Sequence, residues 1–228
     1  MSVGKTALEI SEALGAIRSL VPEGVEIVAV SKFQPVESLR AAYDAGQRLF
    51  GESRVQELLE KIPQMPSDIR WHFIGHLQTN KVKAIIGKTA LIESIDSVRL
   101  LELIDLESGK KGVKTAVLLQ LHVAREETKF GFSPEEVTEY FRSGKYKELN
   151  NVEIRGLMAM ATNTDDLKTV REDFARAAAV MREIKTDICP GLKEFETLSM
   201  GMSGDWPIAV EEGATLVRIG SAIFGERN

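Results

Sequence analysis

Eight short apolar runs lie along the chain, each separated from the next by an amphipathic stretch, and this alternation limits the folds open to it. The runs are residues 25–31 (VEIVAVS), 48–51, 71–77 (WHFIGHL), 90–95, 115–123 (TAVLLQLHV), 154–161 (IRGLMAMA), 195–199 and 216–224. All are far shorter than the roughly 20 residues of a membrane span. They are partly β-branched and alternate poorly, as strands of a parallel sheet covered on both faces should. The stretches between them carry helix punctuation. Pro35 precedes and Gly46 follows one; Ser133-Pro134-Glu135-Glu136 spells a capping box with proline at the first helical position. Asp205 stands as a cap before Trp206-Pro207, with Gly213 closing that helix. Leu167, Val170, Phe174, Ala177 and Met181 outline one helical face.

Eight strands alternating with helices in 228 residues predict an α/β fold, a single (β/α)8 TIM barrel forming one domain over residues 1–228. The chain ends four residues after the last run, too few for a closing helix. Val3, Ala7, Ile10, Leu14, Ile17 and Val21 outline an extra helix before the first strand, expected to fill that gap. A formal charge of −5, from 29 basic and 34 acidic residues, argues against the basic stripe of a nucleic-acid-binding protein. The single Cys189 excludes an internal disulfide and a cysteine-based metal cluster. The N-terminus MSVGKTALEI lacks a basic-then-apolar leader. The expectation is a soluble, cytoplasmic monomer with no membrane partner.

Chemistry in a barrel sits at the C-terminal ends of the strands. Lys32 follows the run VEIVAVS directly, so its stem leaves an apolar wall. A partly desolvated lysine there has a lowered pKa and can attack a carbonyl as the free amine. Lys129, in TKFGF, is the rival amine, but a polar loop delivers it. Ser199, Ser203, Gly220 and Ser221 supply hydroxyls and close backbone approach after the seventh and eighth strands, where barrels often bind phosphate. Arg218 interrupts the apolar run VRIG and must find an acceptor, either a barrel carboxylate or a ligand. His72 and His76, four apart in one run, are expected on one strand face, with His72 deeper and His76 walling the ligand site. They lack the third ligand of a metal centre. Met158 and Met160 read as core.

The motifs AVSK (29–32), FGESRVQE (50–57), WHFIGHLQTNK (71–81), KFGF (129–132), RGLMAM (155–160), LSMGMSGD (198–205) and VRIGSAIFG (217–225) resemble, in order and over almost the whole chain, the pyridoxal-5′-phosphate homeostasis protein family. Its members are barrels similar to the N-terminal domain of alanine racemase, and they bind pyridoxal phosphate without an established turnover. The resemblance implies that Lys32 holds the cofactor as a Schiff base, that Arg218 faces the pyridine nitrogen, and that Ser199, Ser203, Gly220 and Ser221 surround the phosphate. Where this chain has Ser53 the family commonly has asparagine; the shorter side chain leaves a water to bridge to the cofactor. An arginine beside the ring nitrogen weakens the ring as an electron sink, and Lys32 is the one base in evidence. The reading is a vitamin B6 carrier or buffer serving pyridoxal-phosphate-dependent apo-enzymes. Its rivals are an amino-acid racemase of the alanine racemase type and a lysine-dependent aldolase acting on a phosphosugar.

Overall fold

The computed structural model describes residues 5–126 and 130–225. All eight runs contain strands: β1 (Glu26–Val30), β2 (Leu49–Glu52), β3 (Arg70–Phe73), β4 (Leu91–Ile95), β5 (Thr115–Leu121), β6 (Val152–Ala159), β7 (Thr197–Ser199) and β8 (Leu216–Ile219). They pair in chain order into a closed barrel, and every pairing is parallel. The helices are α1 (Ala7–Leu20), α2 (Val36–Asp44), α3 (Val55–Lys61), α4 (Val82–Ile85), α5 (Val98–Lys111), α6 (Pro134–Arg142), α7 (Leu167–Glu183), α8 (Trp206–Glu211) and α9 (Ser221–Phe224).

Local chemistry sets these boundaries. The capping box before α6 is formed, with Ser133 accepting from the Glu136 amide and the Glu136 carboxylate accepting from the Ser133 amide. The helix before the first strand is α1, which buries Ile10, Leu14 and Ile17; Val3 lies outside the described residues. One turn, α9, does follow β8, so the gap is shared between this turn and α1, whose Lys5 flank donates to the Ala222 carbonyl at 2.8 Å. Asp205 does not cap α8. Its carboxylate instead accepts from the Met202 amide at 2.5 Å and closes the turn after β7. In α7, Val170, Phe174, Ala177 and Met181 are buried, whereas Leu167, in the first turn, is exposed.

The main apolar core lies between strands and helices. Two smaller clusters stand apart from it: Val28, Leu49 and Leu216, and Leu91, Ala116, Leu118 and Met158. Strand alternation puts Val28 on the face of Val30, Met158 on the face of Met160, and Leu216 on the face of Arg218 and Gly220, all of which line one cavity. The small clusters are therefore the filling of the barrel, and the cavity is its mouth. Gly156, on β6 opposite Thr197, adjoins a register irregularity with β5. It has φ of 149°, and a Cβ there would stand 1.8 Å from the Thr197 carbonyl oxygen. Gly156→Ala is expected to cost at least about 3 kcal/mol of stability by chemical denaturation.

Candidate functional site

Barrel closure is what assembles the site. β8 pairs with β1, Arg218 beside Val28 and Ile219 beside Ala29, so the ends of the first and last strands are neighbours. A cavity of about 240 Å³ opens there, lined by Lys32, Ser53, Met160, Ser203, Arg218 and Gly220, with Val30, Ile74, Met202, Gly204 and Ser221 completing the wall. A larger groove, about 540 Å³, lies outside the barrel against α6; it is lined by Asp96, Glu136 and Tyr140 and does not reach these residues.

Lys32 is half-buried and sits in a tightly held turn. On one side, the Ser31 hydroxyl donates to Glu52 at 2.7 Å and the Ser31 carbonyl accepts from the Lys61 ammonium at 2.9 Å. On the other, the Phe33 amide donates to Glu57 at 2.8 Å. Lys61, itself buried, spends its remaining donors on Glu52 at 2.7 Å and Glu57 at 3.1 Å. Phe33 is the one non-glycine residue with positive φ, 63°, among those described. A left-handed backbone at such a residue costs roughly 1–2 kcal/mol, and the carboxylate on its amide holds it there. Burial pushes the Glu52 carboxyl above its ordinary range against the pull of Lys61, and its second oxygen makes no hydrogen bond. Burial acts on Glu57 in the same direction but is outweighed by the Phe33 amide and Lys61, which bring it below that range.

Arg218 projects from β8 and is buried. Its guanidinium donates to the Ser199 hydroxyl at 2.5 Å and to the Ala159 carbonyl at 2.9 Å, and lies 3.8 Å from Glu93. Of the two alternatives left open by the sequence, the structure shows the pairing with a barrel carboxylate, and Arg218 also lines the cavity. Ser203 bridges the last two turns, its hydroxyl accepting from the Gly220 amide at 3.2 Å and the Ala222 amide at 3.4 Å. Both amides thus converge on a hydroxyl of the cavity wall.

Four more of the expected residues thus meet Lys32 and Arg218 around one cavity, Ser53, Ser203, Gly220 and Ser221, and Met160, expected in the core, lines it as well. Two expected residues do not join them. Ser199 is fully buried below the cavity, its hydroxyl consumed by Arg218 and Glu93. His76 lies beyond the end of β3, because the chain leaves the barrel wall at Gly75, whose Cα packs so closely on the Ser53 backbone that a Cβ would stand 2.1 Å from its carbonyl oxygen. His76 is exposed on the rim, bonded to Asp96 at 2.9 Å and stacked on Phe130. His72 is buried as expected and bonds Glu93. Lys129 lies outside the described residues. The sequence reading missed Glu93, Glu52 and Lys61. Glu93 interrupts an apolar run just as Arg218 does, so the same argument would have found it.

A closed barrel with a lysine after its first strand and an arginine on its last defines a class of protein, and residues 9–228 match the family of the alanine racemase N-terminal domain. The chain is 40% identical over 203 residues to the pyridoxal phosphate homeostasis protein of Aquifex aeolicus, covering 89% of this chain and 87% of that one. It is 36% identical over 226 residues to the protein of the same name in Schizosaccharomyces pombe, covering 96% and 93%. Among solved structures it matches PipY of Synechococcus elongatus without PLP at a TM-score of 0.89 and 38% identity, covering 95% of this chain and 100% of that one. PipY with PLP bound matches at 0.85 and 37%, with the same coverage. An alanine racemase from Clostridium difficile, 16% identical, shares the fold at a TM-score of 0.75 over 57% of its length. This chain belongs to the pyridoxal phosphate homeostasis protein family, the one to which its motifs point.

The buried Lys61 cluster generates a stability prediction. Lys61→Met leaves Glu52 buried without its cation and is expected to cost about 3–5 kcal/mol in urea denaturation. Adding Glu52→Gln should recover more than half of that loss. A single-variant cost near zero would mean that the cluster does not hold the turn.

Proposed function

We propose that this chain binds pyridoxal 5′-phosphate at the mouth of its barrel and serves as a cytoplasmic carrier and buffer of that cofactor, handing it to apo-enzymes, rather than as an efficient catalyst. One observation carries the reading: an amine, a guanidinium and a hydroxyl-and-amide turn converge on a single cavity. These fit the three handles of the cofactor, an aldehyde, a pyridine nitrogen and a phosphate. The name shared by the relatives and the PLP-bound PipY support the same reading.

Lys32 supplies the nucleophile. Its Nζ is the amine that would hold the cofactor, by condensation with the aldehyde and loss of water. The turn held by Lys61, Glu52 and Glu57 fixes where that amine emerges. Arg218 would serve as donor to the ring nitrogen, and because a guanidinium does not give up its proton, it would keep that nitrogen an acceptor. Ser203, whose hydroxyl accepts from the Gly220 and Ala222 amides in this structure, would hold the phosphate together with those amides and Ser221. Bound pyridoxal phosphate supplies an electron sink to a substrate's α-carbon, and Arg218 weakens it by withholding a ring proton. Lys32 is the amine among the described lining residues; Ile74, Met160 and Met202 move no protons.

Two measurements test this reading. Borohydride reduction after addition of stoichiometric pyridoxal phosphate, followed by peptide mapping, is expected to place the label on Lys32; a label confined to other lysines would overturn the assignment. Pyridoxal, lacking the phosphate, forfeits at least two charge-assisted hydrogen bonds of roughly 1.5–3 kcal/mol each. It is expected to bind at least about a hundredfold more weakly, and equal affinities would remove the phosphate subsite.

A further inference from the structure

The floor of the cavity is a layer of buried charge that the binding chemistry does not itself use. Glu93, on β4, has no exposure. One of its oxygens accepts from His72 Nδ1 at 2.6 Å, and the other accepts from the Ser199 hydroxyl at 2.6 Å. Ser199 has a single proton and gives it to Glu93, so toward Arg218 it is an acceptor, and Arg218 Nη1 donates to it at 2.5 Å. The hydrogen bonds therefore run in one direction, from Arg218 through Ser199 to Glu93, and from His72 to the same carboxylate. Arg218 cannot discharge itself by losing a proton, and Glu93, 3.8 Å away, is the carboxylate in contact with it. Burial would raise the Glu93 carboxyl; His72, Arg218 and Ser199 outweigh it and hold it ionised, below its ordinary range.

We propose that Glu93 is a positioning residue for cofactor recognition: acting through Ser199, and itself held by His72, it fixes the Arg218 guanidinium in orientation and cancels its charge, so that the ring nitrogen meets a neutralised, immobile donor. The inference rests on the reading that this cavity takes pyridoxal phosphate. It adds two residues, Glu93 and His72, that are not among the lining residues of the cavity and gives Ser199 a role other than phosphate binding.

A pair of ligands separates positioning from mere structural support: pyridoxal phosphate and its 1-deaza analogue, in which a C–H replaces the ring nitrogen. The parent protein is expected to prefer pyridoxal phosphate by about tenfold or more, since the analogue offers Arg218 no acceptor. In Glu93→Gln, which keeps the shape but not the charge, the preference should fall to within about twofold of unity, with a changed absorption maximum for the bound cofactor. If both ligands weaken equally and the preference persists, Glu93 is structural only and the proposal fails. It fails also if the parent shows no preference, whereas the cofactor reading itself stands or falls on the Lys32 label. Should Glu93→Gln not fold, Ser199→Ala keeps both charges and removes the relay; it is expected to lose the preference, and Ser199→Thr to restore it. A preference undiminished in Ser199→Ala would overturn the relay.

Discussion

A guanidinium that cannot lose its charge lies buried inside the barrel, and the arrangement of the strands around it follows from the need to satisfy it. Arg218 is answered by a hydroxyl on β7, a carbonyl at the end of β6 and a carboxylate on β4. Those groups come from strands spaced around a closed sheet, and no open sheet would bring them to one point. An isolated ion at such a depth would cost several kcal/mol; here the polar groups lie beside the apolar filling of the barrel, with Val28 in register with Arg218, which also lines the cavity. The floor of the site and the packing of the barrel are one structure.

A second buried charge centre flanks the cavity on the β1–β2 side. Lys61 there has three acceptors for its three protons, and two of its partners also hold the residues on either side of Lys32, Glu52 at the Ser31 hydroxyl and Glu57 at the Phe33 amide. The two centres divide the work. One sets where the amine emerges, the other what the opposite wall presents to a ring. Between them stand small side chains and backbone amides, as an anion requires.

The alternation of apolar runs made the barrel legible, and every run holds a strand. The ends were less legible. The third run continues to Leu77, but β3 stops at Phe73, because close packing of Gly75 on the Ser53 backbone turns the chain away; His76 left the site with it. Lys32 and Arg218 were legible because each is a charge set against an apolar strand. Glu93 has the same signature in LIESI, a charge set within an apolar strand and fully buried. Lys61 had no such signal: its partners Glu52 and Ser31 lie 9 and 30 residues away, and nothing in a helix sequence marks a lysine as buried. Ser199 was placed by its neighbours in sequence rather than by the face of the strand it occupies. Asp205 occupies a cap position, yet the tighter turn back to Met202 claims its carboxylate.

The central claim is that barrel closure makes one cofactor site from the ends of the first and last strands, and the structure of the complex with pyridoxal phosphate tests it most directly. Crystals grown with the cofactor should show continuous density from Lys32 Nζ to the aldehyde carbon, the ring nitrogen within hydrogen-bond reach of Arg218, and the phosphate against Ser203 and the Gly220 amide. A cofactor bound with its phosphate toward Lys32, or seated in the groove beside α6 with the barrel mouth vacant, would contradict the account.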